Sequence, residues 1–400
     1  MKKNSIKHRF NFAGLALVAA MIGAFSFMMP GSTKLSINKG SRIMLIGNNL
    51  GSRMIEFDHF ETELQLRYPD NMLYVRNMCD GGNTPGFRPH SGRKTPWAFP
   101  GAEKFQTELA KPAGMEGFVE YPDQWLTKHK ADIIIAFFGY NESFQGAAGL
   151  ANYKAELDAF IKHTLSQQYN GTSAPQLALV SPIAFENLSG KYDLPNGKTE
   201  NANLLLYTQA MKEVAAKNKV HFVDAFSPSK IWLDDPATEL TIDGTQLTNA
   251  GYAKFGPFLA NEVFGKNSKT NPSNKEAVFA AVKEKNWMWH NDYKIPNGVH
   301  VFGRRYNPFG PDNYPTEQKK IREMILIRDT AIWMAANGQK MDLAASDAKT
   351  STLPQVQTNY KPRDPNAAMR YLYGQEALDK FTVAPGYKIE MFASEVEFTD

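Results

Sequence analysis

Short, near-continuous apolar runs alternate along this chain with longer stretches in which apolar residues recur every three or four positions. The runs are Arg42–Gly47 (RIMLIG), Met72–Asn77 (MLYVRN), Asp132–Gly139 (DIIIAFFG), Gln176–Pro182 (QLALVSP) and Val220–Ala225 (VHFVDA). Aliphatic and β-branched content without polar alternation predicts strands buried on both faces, as in a parallel sheet covered by helices. Helical periods fall between them, over Leu50–Leu66, Asn152–Gln168, Glu200–Asn218 and Asn249–Phe264. Repeated β-α units with right-handed crossovers follow, so the pattern predicts an α/β fold with a doubly wound, parallel five-stranded sheet flanked by helices. Ligands of such sheets sit beyond the carboxyl ends of the strands, which directs attention to the residues just after each run.

Gly81–Phe105, rich in Gly, Pro, Arg and aromatic residues, has neither period and reads as a long ordered loop over the strand ends. Past the α/β region (39–265), a polar linker Gly265–Asn274 leads to a helical extension (275–340) with helices over Lys275–Trp289 and Tyr314–Ala336. An extended linker follows (341–380), most plainly in the Ser/Thr/Asp/Pro-rich stretch Ser346–Pro365. Phe381–Phe398 (FTVAPGYKIEMFASEVEF) reads as the first strand or two of a further, truncated domain (381–400).

At the other end, Lys2, Lys3, Lys7 and Arg9 precede an apolar run from Phe12 to Met29 and then Pro30, Gly31 and Ser32. This is the layout of a secretory signal within 1–34, and it predicts export. The run is also near the lower length for spanning a bilayer, so an uncleaved anchor on the outer side of the inner membrane stands as the alternative to a periplasmic location. The rest of the composition narrows the classes. With 42% hydrophobic residues the chain can build a sizeable core, and a net charge of +4 with both signs mixed gives no basic field for nucleic acid. Cys79 is the only cysteine, which excludes an intramolecular disulfide, a Cys-rich metal site and a CxxCH haem attachment.

The residues after the strands form blocks: Gly47-Asn48-Asn49-Leu50, then Asn77 to Thr84 (NMCDGGNT), then Gly139-Tyr140-Asn141-Glu142, and finally Asp243-Gly244-Thr245-Gln246 before a helix. In this order they resemble the SGNH (GDSL-type) hydrolases, over Lys39–Phe264. In that family the blocks are Gly-Asp-Ser-Leu, an oxyanion glycine, Gly-x-Asn-Asp and Asp-x-x-His. The resemblance implies a serine attacking an ester, a histidine taking its proton, an aspartate orienting the imidazole, and Gly and Asn donors holding the oxyanion. Carried over by position, Gly82 and Asn141 fall on the oxyanion donors, with Glu142 beside them, and Asp243 on the orienting carboxylate. Asn49 falls on the nucleophile position and Gln246 on the base position. Neither amide can attack or shuttle a proton near neutral pH. The expectation is therefore a catalytically degenerate module that binds an acylated or carbohydrate ester ligand. A working carbohydrate esterase with unusual residues, and a purely structural spacer, are the alternatives.

Other residues carry competing readings. Ser52, one turn past Asn49, is a conceivable replacement nucleophile but reads better as a helix-surface residue. Cys79 is a second candidate, against the ordinary role of a small buried hydrophobe. Asp80, Glu142 and Asp243 could pair for glycoside or metal-assisted hydrolysis, although their separations are unreadable from sequence. Arg88, with His90, Arg93, Lys94 and Trp97, could give a basic, aromatic rim for a sugar or an anion; the alternative is solvated loop charges over packed Trp97 and Phe99. The later cluster Trp287, Trp289, His290, Tyr293, His300, Arg304, Arg305 and Tyr306 invites the same suggestion, with core packing of Trp287 favoured. Asn170-Gly171-Thr172 and Asn187-Leu188-Ser189 match the glycosylation sequon and carry little information.

Asn77–Phe105, Ala136–Gly149 and Phe381–Ser394 are also similar to a group of exported bacterial multidomain proteins. There an SGNH-like domain precedes a sugar-dehydrogenase-like β-propeller and often a c-type cytochrome domain. That likeness implies a following propeller as the partner of this module and places redox chemistry in other modules, so no cofactor and no haem are expected here.

Overall fold

The computed structural model describes residues 34–90, 92–109, 117–235, 237–267, 272–359 and 372–394. The signal or anchor segment lies outside them, as do residues 395–400. Among the described residues no helix is long and apolar enough to cross a membrane. The chain forms two units, Met1–Gln355 and Val356–Asp400.

The first unit is built on five strands: β1 (Arg42–Gly47), β2 (Tyr74–Asn77), β3 (Ile133–Phe137), β4 (Gln176–Val180) and β5 (His221–Val223). All pair in parallel, in the order β2-β1-β3-β4-β5. This is the doubly wound α/β architecture that the apolar runs predict, and the order reverses between β1 and β3. Successive side chains on a strand point to opposite faces, and here both faces are apolar. Met44, Ile46, Ile134, Ala136, Leu177 and Leu179 form one core. Ile43, Leu45, Ile133, Ile135, Ala178 and Val180 form the other.

The helices that matter to the site are α1 (Asn49–Ser52), α2 (His59–Arg67), α3 (Pro122–Lys128), α4 (Tyr140–Ser143), α5 (Leu150–Leu165), α6 (Lys198–Asn218), α7 (Phe226–Leu233) and α8 (Asn249–Phe264). Helices α3, α5 and α6 cover the first core and α2 and α8 the second. The single helix expected over Leu50–Leu66 is broken after one turn. Tyr252 donates its hydroxyl to Leu50 O (2.9 Å) and Asn77 donates its side-chain amide to Gly51 O (2.7 Å), so the carbonyls that would continue the ladder are taken by distant side chains.

The helical extension consists of α9 (Lys275–Tyr293), α10 (Gly298–Val301) and α11 (Gly310–Ala336). Helices α9 and α11 pack with Leu66 of α2 through Val278, Val282 and Ile332. Buried charges join the extension to the sheet edge. Arg76 of β2 forks onto Asp329 of α11 at 2.9 and 2.5 Å, and fully buried Lys285 of α9 donates to Glu61 (2.7 Å) and to Val75 O (3.0 Å). Removing one partner of such a pair strands the other in low dielectric, at about 3–5 kcal/mol.

The second unit contains one short helix among its described residues, Gly374–Leu378, with Gly374 lying against the Met391 sulfur. The expected strand over Phe381–Phe398 is not formed in 381–394.

Candidate ligand site at the strand ends

A narrow cleft opens beyond the carboxyl ends of β1, β3 and β4, where the sheet order reverses. Asn48, Asn49, Leu50, Phe137, Phe138, Ser181, Pro182 and Ile183 wall it from the strand ends, and Arg53, Tyr140, Thr245, Gln246 and Tyr252 close it. Its volume is about 30 Å³. The first wall exists because Gly47 leaves β1 at φ +122°, with its α-carbon so close to β3 that a methyl group would lie 2.1 Å from Phe137 O. Asn48 then caps α1, its Oδ1 accepting from Leu50 N at 3.3 Å, and Asn49 becomes the first residue of that turn.

Opposite, Asp243-Gly244-Thr245-Gln246 forms a tight turn around one carboxylate. Asp243 Oδ1 accepts from Thr245 N (2.9 Å), Thr245 Oγ1 (3.0 Å) and Gln246 N (2.8 Å), while Oδ2 accepts from Gln246 Nε2 at 2.7 Å. Burial alone would raise its pKa, but these donors outweigh it and hold the carboxyl below its usual range. Gly244 permits the turn at φ +91°, where any side chain would strike the Phe185 ring.

The amide of Gln246 has a fixed orientation. An ionised carboxylate only accepts, so Nε2 must face Asp243, and Oε1 then faces Arg53 Nη1 at 3.3 Å. A base-position side chain is thus held by the expected carboxylate at one end and by an arginine at the other. No lone pair on it is basic enough to accept a proton from a hydroxyl.

The structure gathers some of the sequence candidates and disperses others. Asn49 and Gln246 share the cleft, with Asp243 immediately behind Gln246. Gly82 lies in an exposed turn next to Gly81, whose face is turned toward Asn49 Oδ1. Asn141 is not on the cleft wall; its Nδ2 donates to Asn83 O (2.9 Å), which ties α4 to the loop that carries Gly82. Asn141 borders instead a polar cavity of about 180 Å³ together with Glu142, Gln106, Tyr153 and Glu156. Glu142 turns inward there, accepting from Gly139 N at 2.9 Å, and burial, helped by the nearby Glu156 carboxylate, pushes its pKa up to about 8.

Arg88 is not at a rim. Its guanidinium is buried, donates to Pro85 O (3.0 Å) and lies over the Phe138 and Phe160 rings, because the loop folds back under its own turns. Arg93 is buried in the same way, bonded to Arg88 O and Glu120 O. Cys79 is inaccessible, and burial pushes its thiol pKa far above the ordinary value. Ser52 is not a surface residue: it is nearly buried and its Oγ accepts from Lys294 Nζ at 2.8 Å, while that ammonium also pairs with Asp80 at 3.0 Å. Asp80, Glu142 and Asp243 therefore go to three separate partners. Trp287 is 66% exposed, whereas Trp289 is 1% exposed and donates to Asn77 O. Two residues of separation place their side chains on nearly opposite sides of α9, so only one can face the core. Among the described residues no group of three or more His, Cys, Asp or Glu side chains is arranged to hold a metal ion.

Sequence reasoning passed over Arg53, Tyr140, Thr245 and Tyr252. Arg53 had a readable signal: it lies four residues after Asn49 on a predicted helix, hence on the same face. Tyr140 and Thr245 lie within the strand-end blocks, so position pointed to them although residue type did not; Tyr252 had no such signal, since it reaches the cleft by tertiary packing.

No family model and no curated protein matches the chain. Solved structures with partial likeness include BT4096, described as a gut microbial diltiazem-metabolizing enzyme (14% identity, TM-score 0.41, 58% of this chain and 48% of that one). A catalytic mutant of Axe2, an acetylxylan esterase from Geobacillus stearothermophilus, shows 16% identity and a TM-score of 0.38 over 59% of this chain and 99% of that one. A putative GDSL-like lipase from Parabacteroides merdae shows 12% identity and a TM-score of 0.38 over 58% and 99%. The architecture stands on the strand order and register described above, not on these likenesses.

Proposed function

We propose that this chain is an SGNH hydrolase-like module, catalytically degenerate, that holds an acylated or carbohydrate ligand in the Asn49–Gln246 cleft without cleaving it. The observation that carries the reading is Gln246 itself, anchored to Asp243 at 2.7 Å and in a long contact with Arg53, in a cleft that Asn49 also lines. Neither Ser181 nor Thr245, whose hydroxyls also line the cleft, replaces the missing relay. Ser181 Oγ accepts from Ala225 N and Phe226 N and donates to Pro182 O, and Thr245 Oγ1 is bonded to Asp243. The resemblance carried by Asn77–Phe105, Ala136–Gly149 and Phe381–Ser394, with the signal-like pattern near the N-terminus, supports a setting in an exported multidomain protein with a propeller following.

Initial rates with short-chain aryl esters test the proposal, together with covalent labelling by serine- and cysteine-directed probes. The expected result is background turnover, unchanged in Asn49→Ala, and no labelling. Vigorous turnover by the unaltered chain, or stoichiometric labelling, overturns it in favour of a working esterase.

A further inference from the structure

We infer that the cleft is a receptor for a carboxylate head group, with Arg53 as its charge partner. This rests on the ligand-holding reading above and narrows its ligand to an acid, either a small free acid or an acidic sugar.

Arg53 is the one formally charged side chain on the described cleft wall. Its side chain is 19% exposed, yet its bonds are poor: Nη1 to Gln246 Oε1 at 3.3 Å and Nη2 to Leu247 O at 3.5 Å, both at the long limit and both to neutral acceptors. Nε is buried with no partner, as it also is in Arg76 and Arg88, and the guanidinium carbon lies 5.2 Å from the Phe57 ring centroid. The nearest carboxylate that pairs with it, Glu56, is 3.9 Å away and 59% exposed. By contrast Arg76 forks onto Asp329, and Arg67 meets Glu63 at 2.7 Å. Unlike Arg88 and Arg93, which are enclosed by the loop, Arg53 reaches a cleft, and its planar fork matches a carboxylate with two parallel bonds.

The surrounding groups allow an anion to enter. Glu56 and Asp243 are the nearby negative charges; Glu56 is exposed at 3.9 Å from Arg53, and Asp243 stands behind Gln246 with both oxygens taken up by donors. Asn49 lines the same cleft with an amide that can donate. A volume of about 30 Å³ is room for roughly two water-sized groups. That suits the two oxygens of a carboxylate, with the remainder of the ligand outside.

The test is a titration of the full chain at constant ionic strength, read by ¹⁵N NMR at the Arg side-chain N–H and the Asn and Gln side-chain amides. The probes are sodium acetate, sodium glucuronate, inorganic phosphate, acetamide and methyl acetate. Acetate or glucuronate should bind, R53Q should weaken that binding at least tenfold, and R53K should fall between. Tighter glucuronate binding assigns an acidic sugar, and binding of acetate alone assigns a small acid. Acetate affinity equal in the unaltered chain and R53Q, or phosphate binding as tightly as acetate, overturns the inference. Binding of methyl acetate or acetamide without acetate also overturns it, while the ligand-holding reading survives; silence from every probe strikes both. Should R53Q fail to fold, acetate against acetamide on the unaltered chain decides.

Discussion

Installing serine at position 49 and histidine at position 246 probes the cleft directly, and the outcome should turn on Arg53. Gln246 Nε2 already lies 2.7 Å from Asp243 Oδ2, so a histidine there inherits an orienting carboxylate. At the far end Gln246 Oε1 is 3.3 Å from Arg53 Nη1. An imidazolium formed during attack would therefore meet a guanidinium at about 4 Å, a repulsion of about 4 kcal/mol at an effective dielectric near 20. Asp243 attracts the same imidazolium with comparable strength, so the arginine cancels what the aspartate supplies. Loss of the nucleophile or base costs about 10⁶ in kcat in subtilisin, and N49S/Q246H should recover little of such a factor. Adding R53Q removes the repulsion; even half of it, about 2 kcal/mol, is roughly thirtyfold in rate. The assay is initial rates with p-nitrophenyl acetate across pH, separating kcat from KM. The triple variant should turn over at least tenfold faster than the double, with the base titrating at higher pH once the neighbouring cation is gone. Equal rates for double and triple variants would refute the electrostatic role of Arg53. A triple variant no faster than the unaltered chain would show that positions 49 and 246 are not in catalytic register.

Asp329→Asn leaves Arg76 buried beside a neutral group and should cost about 3–5 kcal/mol, lowering Tm by on the order of 5–10 °C in a unit of this size; a shift within 1 °C would mean that the pair contributes nothing, and R76M/D329L should recover part of the loss. Glu142 has a folded pKa of about 8 against 4.5 unfolded, so its contribution is full below about pH 4.5 and is lost as pH rises through about 8. Glu142→Gln should flatten that part of the Tm–pH curve, and an unchanged slope counts against a buried protonated carboxyl. Cys79 should resist iodoacetamide in the folded protein and react only on unfolding; stoichiometric labelling of the native chain would contradict its burial.

The elements were legible where local pattern and tertiary demand coincide. The run Arg42–Gly47 and the period Asn249–Phe264 became β1 and α8 without change, because a strand buried on both faces and an amphipathic helix need nothing beyond their own side chains to declare themselves. Asp243-Gly244-Thr245-Gln246 was legible for a similar reason: its carboxylate bonds are to residues two and three positions on. Arg88 was not, since a cation in a Gly/Pro-rich loop looks solvated until the loop is seen to fold over Phe138 and Phe160. Nor was the break after α1, which depends on hydroxyl and amide donors from Tyr252 and Asn77.

By itself, the sequence determined the parallel α/β sheet, the order of its strand-end blocks and the two amides at positions 49 and 246, all of which depend on residue type and short spacing. Only the tertiary structure decided that Arg53 meets Gln246, that Arg88 and Cys79 are withdrawn from solvent, and that Lys285 and Asp329 fasten the helical extension to the sheet edge. Those contacts join residues far apart in the chain, and their energy depends on local dielectric and on which partner arrives, quantities that no spacing along a sequence contains.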